Sequence, residues 1–305
     1  INWFVTGKNG NKNEDTVYDD LESNLFPEAK HITFKDECGE YPTASSFAVW
    51  KVAKAFGESQ SSGQTALIYN HYHSVNHSNP EKTMIIEGLI ISMIIFLVYA
   101  SCNIRSNIYL KVFCKKQTEE KIVAVTFDDG PDPIQTPKVL QILKEQQIPA
   151  CFFCIGHKVT GNESLIRQII DDGHLIGNHS FTHTGHFPLY SLSRMKKDMQ
   201  ACQSALEQVT SQKIRLFRPP FGVTNPTIAK AVRILGYTPI GWNIRTFDTQ
   251  HPSKEKVLRR IRTRLRPGSI ILLHDRMPDS DLLLKEILNL IKEQGYTVVR
   301  LDKML

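Results

Sequence analysis

From Lys121 onward the chain alternates short apolar runs with stretches of helical period, and this alternation restricts the fold more than any other feature. The apolar runs read as strands at about 122–127, 150–155, 174–178, 214–218, 238–243, 269–274 and 297–301. Runs this short, set between amphipathic patterns, are the mark of buried parallel strands. The punctuation agrees. Thr136-Pro137 and Asn225-Pro226 each put a capping residue ahead of a proline suited to a first helical turn. Ser253 offers a cap to a basic helix ending near Leu265, and Gly173, Gly236 and Gly295 supply helix stops. Seven β-α units in about 185 residues predict an α/β fold, a parallel sheet closed or nearly closed into a (β/α)7 barrel. An open doubly wound sheet would show the same alternation; the position of the polar residues favours the barrel.

The polar residues fall at strand ends. Ile122-Val-Ala-Val-Thr-Phe127 runs directly into Asp128-Asp129-Gly130-Pro131. Two carboxylates there are costly unless something pairs with them. Neighbours in an extended segment point opposite ways, so one can bind a metal while the other faces a water. The third run ends in Asn178-His179-Ser-Phe-Thr-His183, and two histidines four apart on a helical turn suit one ion. Asp129, His179 and His183 would leave a position open for water. The fourth run ends in Arg218-Pro219-Pro220-Phe221. Arg218 can hold a carboxylate ionised and oriented, and the Phe221 N–H is available to an oxyanion. The fifth leads to Trp242, Arg245 and Asp248, and the sixth ends in His274-Asp275. Asp248 beside His274 would raise its pKa and keep it a competent acid. All these groups lie on the C-terminal side of different strands, the face that carries active sites in β/α barrels.

Residues 1–83 differ in character. They hold 7 Lys+Arg against 11 Asp+Glu and the remainder 30 against 20, giving −4 and +10 within the overall +6. Such asymmetry predicts two units of different origin. The excess basic charge reads as solubility charge, so no nucleic-acid partner is inferred and no obligate protein partner. The six cysteines form no dense framework, and Cys151 and Cys154 sit on opposite faces of one predicted strand. Between the two units, residues 84–104 are almost wholly apolar, with Glu87 the one charge. This length predicts a transmembrane or signal-anchor segment and hence a membrane partner. Lys82 precedes it, whereas Arg105, Lys111, Lys115, Lys116 and Lys121 follow, which by charge alone would keep the C-terminal half in the cytoplasm.

The motifs Thr126-Phe-Asp-Asp-Gly-Pro131, His179-Ser-Phe-Thr-His183, Arg218-Pro-Pro-Phe221 and Ile271-Leu-Leu-His274 resemble, in order and spacing, those of the polysaccharide deacetylase family, carbohydrate esterase family 4. The resemblance covers about 112–305. It implies a distorted (β/α)7 barrel and a metal-dependent hydrolase that removes N-acetyl groups from an N-acetylated sugar or polysaccharide and releases acetate. The ion implied is divalent, usually zinc. It further implies Asp128 as general base, Asp129, His179 and His183 as ligands, and Arg218 as the residue steadying Asp128. Asp248 tunes His274, the general acid, and Phe221, Pro220, Trp242 and Arg245 are the substrate contacts. A catalytic domain at 105–305 working outside the cytoplasm is the expectation, against the Lys/Arg count. Many members have Asp-x-x-Asp-Trp after the fifth strand, where this chain has Arg245-Thr-Phe-Asp248-Thr249. That puts the substrate groove in doubt; an arginine there suits an anionic sugar or a lipid-linked phosphate. Two alternatives follow, a deacylase of a small or lipid-linked substrate and a non-catalytic glycan-binding homologue. Residues 35–44, Lys-Asp-Glu-Cys-Gly-Glu-Tyr-Pro-Thr-Ala, faintly resemble the C-terminal region of β-ketoacyl synthases, with Glu40 in place of a catalytic histidine. Residues 1–83 therefore read as a small incomplete α/β fragment joined at Met84.

Overall fold

The computed structural model describes residues 3–6, 12–25, 27–33, 66–69 and 80–305. The chain divides into two compact units, Ile1–Leu89 and Ile90–Leu305. In the first, β1 (Trp3–Thr6), α1 (Lys12–Asn24), β2 (Lys30–Thr33) and β3 (Ala66–Tyr69) form a parallel sheet in the order β2-β1-β3. The Thr6 hydroxyl donates to Glu22 at 3.2 Å and so ties β1 to α1. The synthase-like stretch 35–44 and a predicted helical run at 44–56 lie outside the described residues.

Helix α2 (Pro80–Cys102) carries the apolar segment expected to span a membrane. Among the described residues no helix is long and apolar enough to do so. The described side chains begin at Leu89, and the exposed apolar run ends at Tyr99. That run rises about 16 Å, roughly half of a ~30 Å hydrocarbon core. Beyond it the end of the helix packs within the second unit, to which residues from Ile90 belong. Ala100 is fully buried, its carbonyl accepting from Ser106 and Thr224 hydroxyls, and the Ser101 carbonyl accepts from the Thr224 N–H.

The second unit is built around β4 (Ile122–Asp128). On one side it pairs with β10 (Ser269–His274), the register running from Val123 opposite Ser269 to Asp128 opposite His274. The other edge is shared: β5 (Cys151–Cys154) takes its upper part from Thr126, and β11 (Thr297–Val298) takes Ile122 and Val123. With β6 (Leu175–Asn178), β7 (Leu216–Phe217), β8 (Thr238–Pro239) and β9 (Ile244–Arg245) the sheet runs β8-β7-β6-β5-β4-β10-β9, every pair parallel. Helices α3 (Gln135–Glu145), α4 (Glu163–Asp171), α5 (Leu192–Thr210), α6 (Pro226–Leu235), α7 (Lys254–Arg264) and α8 (Ser280–Glu293) alternate with the strands.

The predicted strand 238–243 is broken: Ile240 to Asn243 separate β8 from β9 with no helix between them. The chain just ahead of β4 bridges that gap. Phe113 exchanges bonds with Pro239 and Gly241, and the Lys116 N–H donates to Gly268. The barrel is therefore curled and stitched by a non-periodic segment. Burial follows strand alternation. Val123, Val125 and Phe127 pack with Leu140 and Leu143 of α3, while Ala124 turns to the other face among Phe153, Phe217 and Leu272. Cys154 and Cys151 separate between the same two clusters, and both are free thiols.

Capping follows sequence at α6, where Asn225 accepts from the Ile228 N–H and Gly236 closes the helix at φ 68°. At α3 it does not: Ile134 holds the cap position and Thr136 lies inside the first turn. Its hydroxyl accepts from the Asp132 N–H and donates to buried Asp275, a tertiary partner that outweighs the local cap. In the core, Phe152 stacks on Phe127 with ring centroids 5.0 Å apart. Phe152→Ala should lower unfolding stability by roughly 3–5 kcal/mol, measured as a fall in the urea midpoint of the C-terminal transition with unchanged slope.

Candidate active site

Asp128 and Asp129 close β4 at the barrel mouth, and the backbone separates them. Asp128 is the last strand residue, whereas Asp129 adopts φ 71°, so their carboxylates leave in different directions. Arg218 reaches Asp128 from beyond β7, donating from Nη1 to Oδ1 at 2.6 Å and to the Thr126 hydroxyl at 2.9 Å. Its Nε and Nη2 donate to the carbonyls of Ile240 and Gly241, and its plane lies over the Phe153 ring at 4.0 Å. Asp128 Oδ2 is left facing His179 Nε2 at 3.7 Å.

His179 and His183 do not lie on a helical turn as their spacing suggested. They sit in a loop with Ser180 at φ 66° and His183 at φ 46°. Local polar groups define that loop. Asn178 Oδ1 accepts from the Ser180 N–H, and Ser180 Oγ from the His183 N–H. Asp198 of α5 accepts from the N–H groups of Phe181 and Thr182 and from the Thr182 hydroxyl. Sequence reading missed Asp198, which sits mid-helix and far along the chain.

His179 Nδ1 lies 2.8 Å from the Arg218 carbonyl and donates to it, leaving Nε2 an acceptor lone pair. His179 Nε2 is 3.5 Å and His183 Nε2 3.3 Å from Asp129 Oδ1, and these three atoms form the metal-competent group among the described residues. A divalent ion fits here. His183 Nε2 is buried with no hydrogen-bond partner, and burial pushes that imidazole down to about 4, so it is neutral at pH 7. Burial opposes ionisation of Asp129, but the surrounding imidazoles, His179 first, hold its carboxyl below the usual carboxylate range. The other Asp129 oxygen accepts from Arg276 Nε at 2.9 Å, and the Asp129 carbonyl from Lys158 at 2.8 Å.

His274 enters from β10, level with Asp128 in the sheet register. Asp248 holds it twice, one oxygen accepting from the His274 N–H at 2.7 Å and the other bonded to Nδ1 at 2.9 Å. The Thr246 hydroxyl donates to the same carboxylate. Burial alone would lower the His274 pKa; the Asp248 hydrogen bond and charge outweigh it, and the net shift is upward. Nε2 points into the site, 4.0 Å from Asp129 Oδ2.

These groups open into one cavity of about 420 Å³, whose wall also includes Phe221, Trp242, Arg245 and Thr249. Phe221 adopts φ 61° in a turn bonded by the Gly222 and Val223 N–H groups, with its ring 4.8 Å from that of His183. Pro220, expected as a substrate contact, is buried in that turn and does not reach the cavity wall; its fixed φ shapes the loop instead.

Residues 115–240 match the family model for polysaccharide deacetylase. A peptidoglycan N-acetylglucosamine deacetylase of Bacillus cereus is 35% identical over 191 residues, 61% of this chain and 89% of that protein. The chain belongs to the polysaccharide deacetylase family. A second member, the peptidoglycan N-acetylmuramic acid deacetylase PdaA of Bacillus subtilis, is 31% identical over 62% of this chain and 73% of its own length. Among solved structures, a carbohydrate esterase family 4 pseudoenzyme from Bacillus anthracis superposes with a TM-score of 0.59 at 28% identity, covering 63% of this chain and 67% of the other. Members of this family are metal-dependent, and the Asp129, His179, His183 group of this chain suits that requirement.

If His274 is the general acid expected from the sequence, it has to be protonated to act, and activity should fall as pH rises through its raised pKa. Asp248→Asn removes the charge that raises it, and the alkaline limb of the kcat/KM profile should move to lower pH, with the histidine NMR titration moving alongside. An unmoved limb would sink the assignment of His274 as the titrating acid.

Proposed function

We propose that residues 105–305 form a deacetylase that hydrolyses the N-acetyl group of an N-acetylated glycan, releasing acetate and leaving an amine. The observation that carries this reading is the pair of supports: Asp128 backed by Arg218, and His274 backed by Asp248, both beside the Asp129, His179, His183 group. Zinc suits two imidazole nitrogens and one carboxylate with a position left open, and when bound it polarises a carbonyl and acidifies water. The remaining work belongs to side chains. Arg218 fixes Asp128 Oδ1, so Oδ2 is the oxygen that takes the proton of a water attacking the acetamide carbon. The Phe221 N–H faces the oxyanion that develops. His274 Nε2 delivers a proton to the departing nitrogen, and Asp248 stabilises the imidazolium beforehand. Burial of the base and its arginine excludes bulk water from the proton path.

A family member of solved structure is described as a pseudoenzyme. The intact base, acid and their two supports favour turnover in this chain over a binding-only role. The place of work, in this reading, is outside the cytoplasm at a membrane reached through residues 84–104. Support comes from the run of exposed apolar side chains between Leu89 and Tyr99, in which Ser92 is the one polar residue.

With the metal-loaded protein and acetylated sugar oligomers, acetate release should be readily detected. Asp128→Asn should reduce it by roughly 10²–10⁴-fold while the stoichiometry of bound zinc is retained. Chelation should abolish release and added zinc restore it. No acetate from any acetylated glycan, or an unaffected Asp128→Asn variant, overturns the hydrolase reading.

A further inference from the structure

The Asp129 carboxylate is divided between two sides of the cavity. Its Oδ1 faces His179 Nε2 at 3.5 Å and His183 Nε2 at 3.3 Å. Its Oδ2 accepts from Arg276 Nε at 2.9 Å. The turn that carries it is clamped as well. Lys158 donates to the Asp129 carbonyl, and the Ile155 N–H donates to the Gly130 carbonyl at 2.8 Å. The Asp275 carboxyl leaves no room for a side chain on Gly130. With the backbone fixed on both sides, rotation of the carboxylate itself decides which oxygen meets the histidines.

Arg276 reaches Oδ2 from the turn that follows β10. The residues leaving that strand part in alternate directions. His274 and Arg276 line the cavity, whereas Asp275 is fully buried. Asp275 Oδ2 accepts from the Thr136 hydroxyl at 2.5 Å and its carbonyl from the Ser280 hydroxyl. Asp275 thus anchors the turn that delivers Arg276 to Asp129. An ion pair whose arginine side chain is 40% exposed adds little to stability. Its consequence lies elsewhere: one oxygen of Asp129 is engaged and the other is left free. His183 Nε2, buried and without a hydrogen-bond partner, faces the free oxygen.

We propose that Arg276 is a positioning residue for the metal centre: by holding Asp129 Oδ2 it keeps that side chain a one-oxygen ligand and biases the site toward zinc-like ions over oxygen-seeking ones. This rests on the reading of Asp129, His179 and His183 as the ligands. A zinc-like ion is content with two imidazoles, one carboxylate oxygen and an open position. Manganese and calcium build larger shells of oxygen and gain from a carboxylate that offers both of its atoms. A partner that occupies the second oxygen withholds that gain. Such outer partners orient ligands and tune the ion without touching it.

Cobalt(II) reports the shell directly, because its visible bands are intense in sites of low coordination number and weak in six-coordinate ones. The full chain loaded with cobalt should show intense bands. Arg276→Ala should lose much of that intensity, and Arg276→Lys, which keeps a cation beside Oδ2, should retain more of it. Competition with a chromophoric chelator reads affinity: the ratio of zinc to manganese affinity should fall by about tenfold in Arg276→Ala. The urea midpoint should stay at the wild-type value, since the side chain is partly exposed. If Arg276→Ala fails to fold, Arg276→Gln carries the same comparison. A cobalt spectrum or a zinc-to-manganese ratio unchanged by loss of the guanidinium overturns the proposal. A wild-type chain that binds neither zinc nor cobalt overturns the metal reading and this one with it. Acetate release is measured apart. Altered cobalt bands and ion preference, with no acetate from any glycan, would defeat the deacetylase reading and leave the role of Arg276 standing.

Discussion

Arg218 has no solvent exposure, and a guanidinium cannot shed its proton to escape burial, so the barrel interior has to supply an acceptor for its donors. It does so with four acceptors from two segments: the Asp128 carboxylate and Thr126 hydroxyl of β4, and the carbonyls of Ile240 and Gly241 in the break between β8 and β9. Thr126 in turn donates to the Ile271 carbonyl of β10. One side chain thus ties β7 to β4, and through β4 to β10, across the width of the sheet. Buried ion pairs add little net stability, because the desolvation of two charges offsets their attraction. The return here is geometry: Asp128 cannot rotate without breaking contacts that also set strand positions. Even the Arg218 carbonyl takes part, fixing the tautomer of His179.

The loops at the strand ends carry a second constraint. Asp129, Ser180, His183, Phe221 and Phe247 all adopt positive φ without being glycine. Such conformations cost of order 1 kcal/mol or more each and persist only where surrounding contacts over-determine them. The contacts are visible: Asp198 gathers three donors of the His179–His183 loop, and two prolines precede Phe221. Gly222 can approach Trp242 so closely that an added Cβ would lie 2.6 Å from the indole. Local strain is thereby converted into the placement of the two imidazoles and of Phe221 at the cavity.

Much of this was legible in the chain because strand and site coincide. An apolar run that ends abruptly in Asp-Asp, Asn-His, Arg-Pro-Pro or His-Asp announces both a buried strand and a polar mouth, and β4, β6, β7 and β10 lie where those endings put them. What sequence periodicity did not convey came from residues with no periodic signal. The His179–His183 spacing looked helical, yet its backbone is set by Asn178 and Asp198 through side-chain hydrogen bonds. Thr136 looked like a cap until Asp275, 139 residues away, claimed its hydroxyl. The barrel is stitched by 113–116, a stretch without pattern, and Arg276 and Lys158 enter the site from positions adjoining motifs rather than within them. Long-range polar partners of this kind leave no local trace.

The two groups that handle protons in the proposed mechanism are distinguished by what stands behind them. His274 and Asp128 lie level in neighbouring strands, and neither residue type alone dictates which gives and which takes a proton. A carboxylate behind the imidazole favours its protonated form, and the upward shift of His274 follows despite burial. The guanidinium behind Asp128 occupies one oxygen and leaves the other facing His179 Nε2. In the proposed mechanism the direction of proton transfer is thus set by Arg218 and Asp248, two side chains that do not themselves line the cavity.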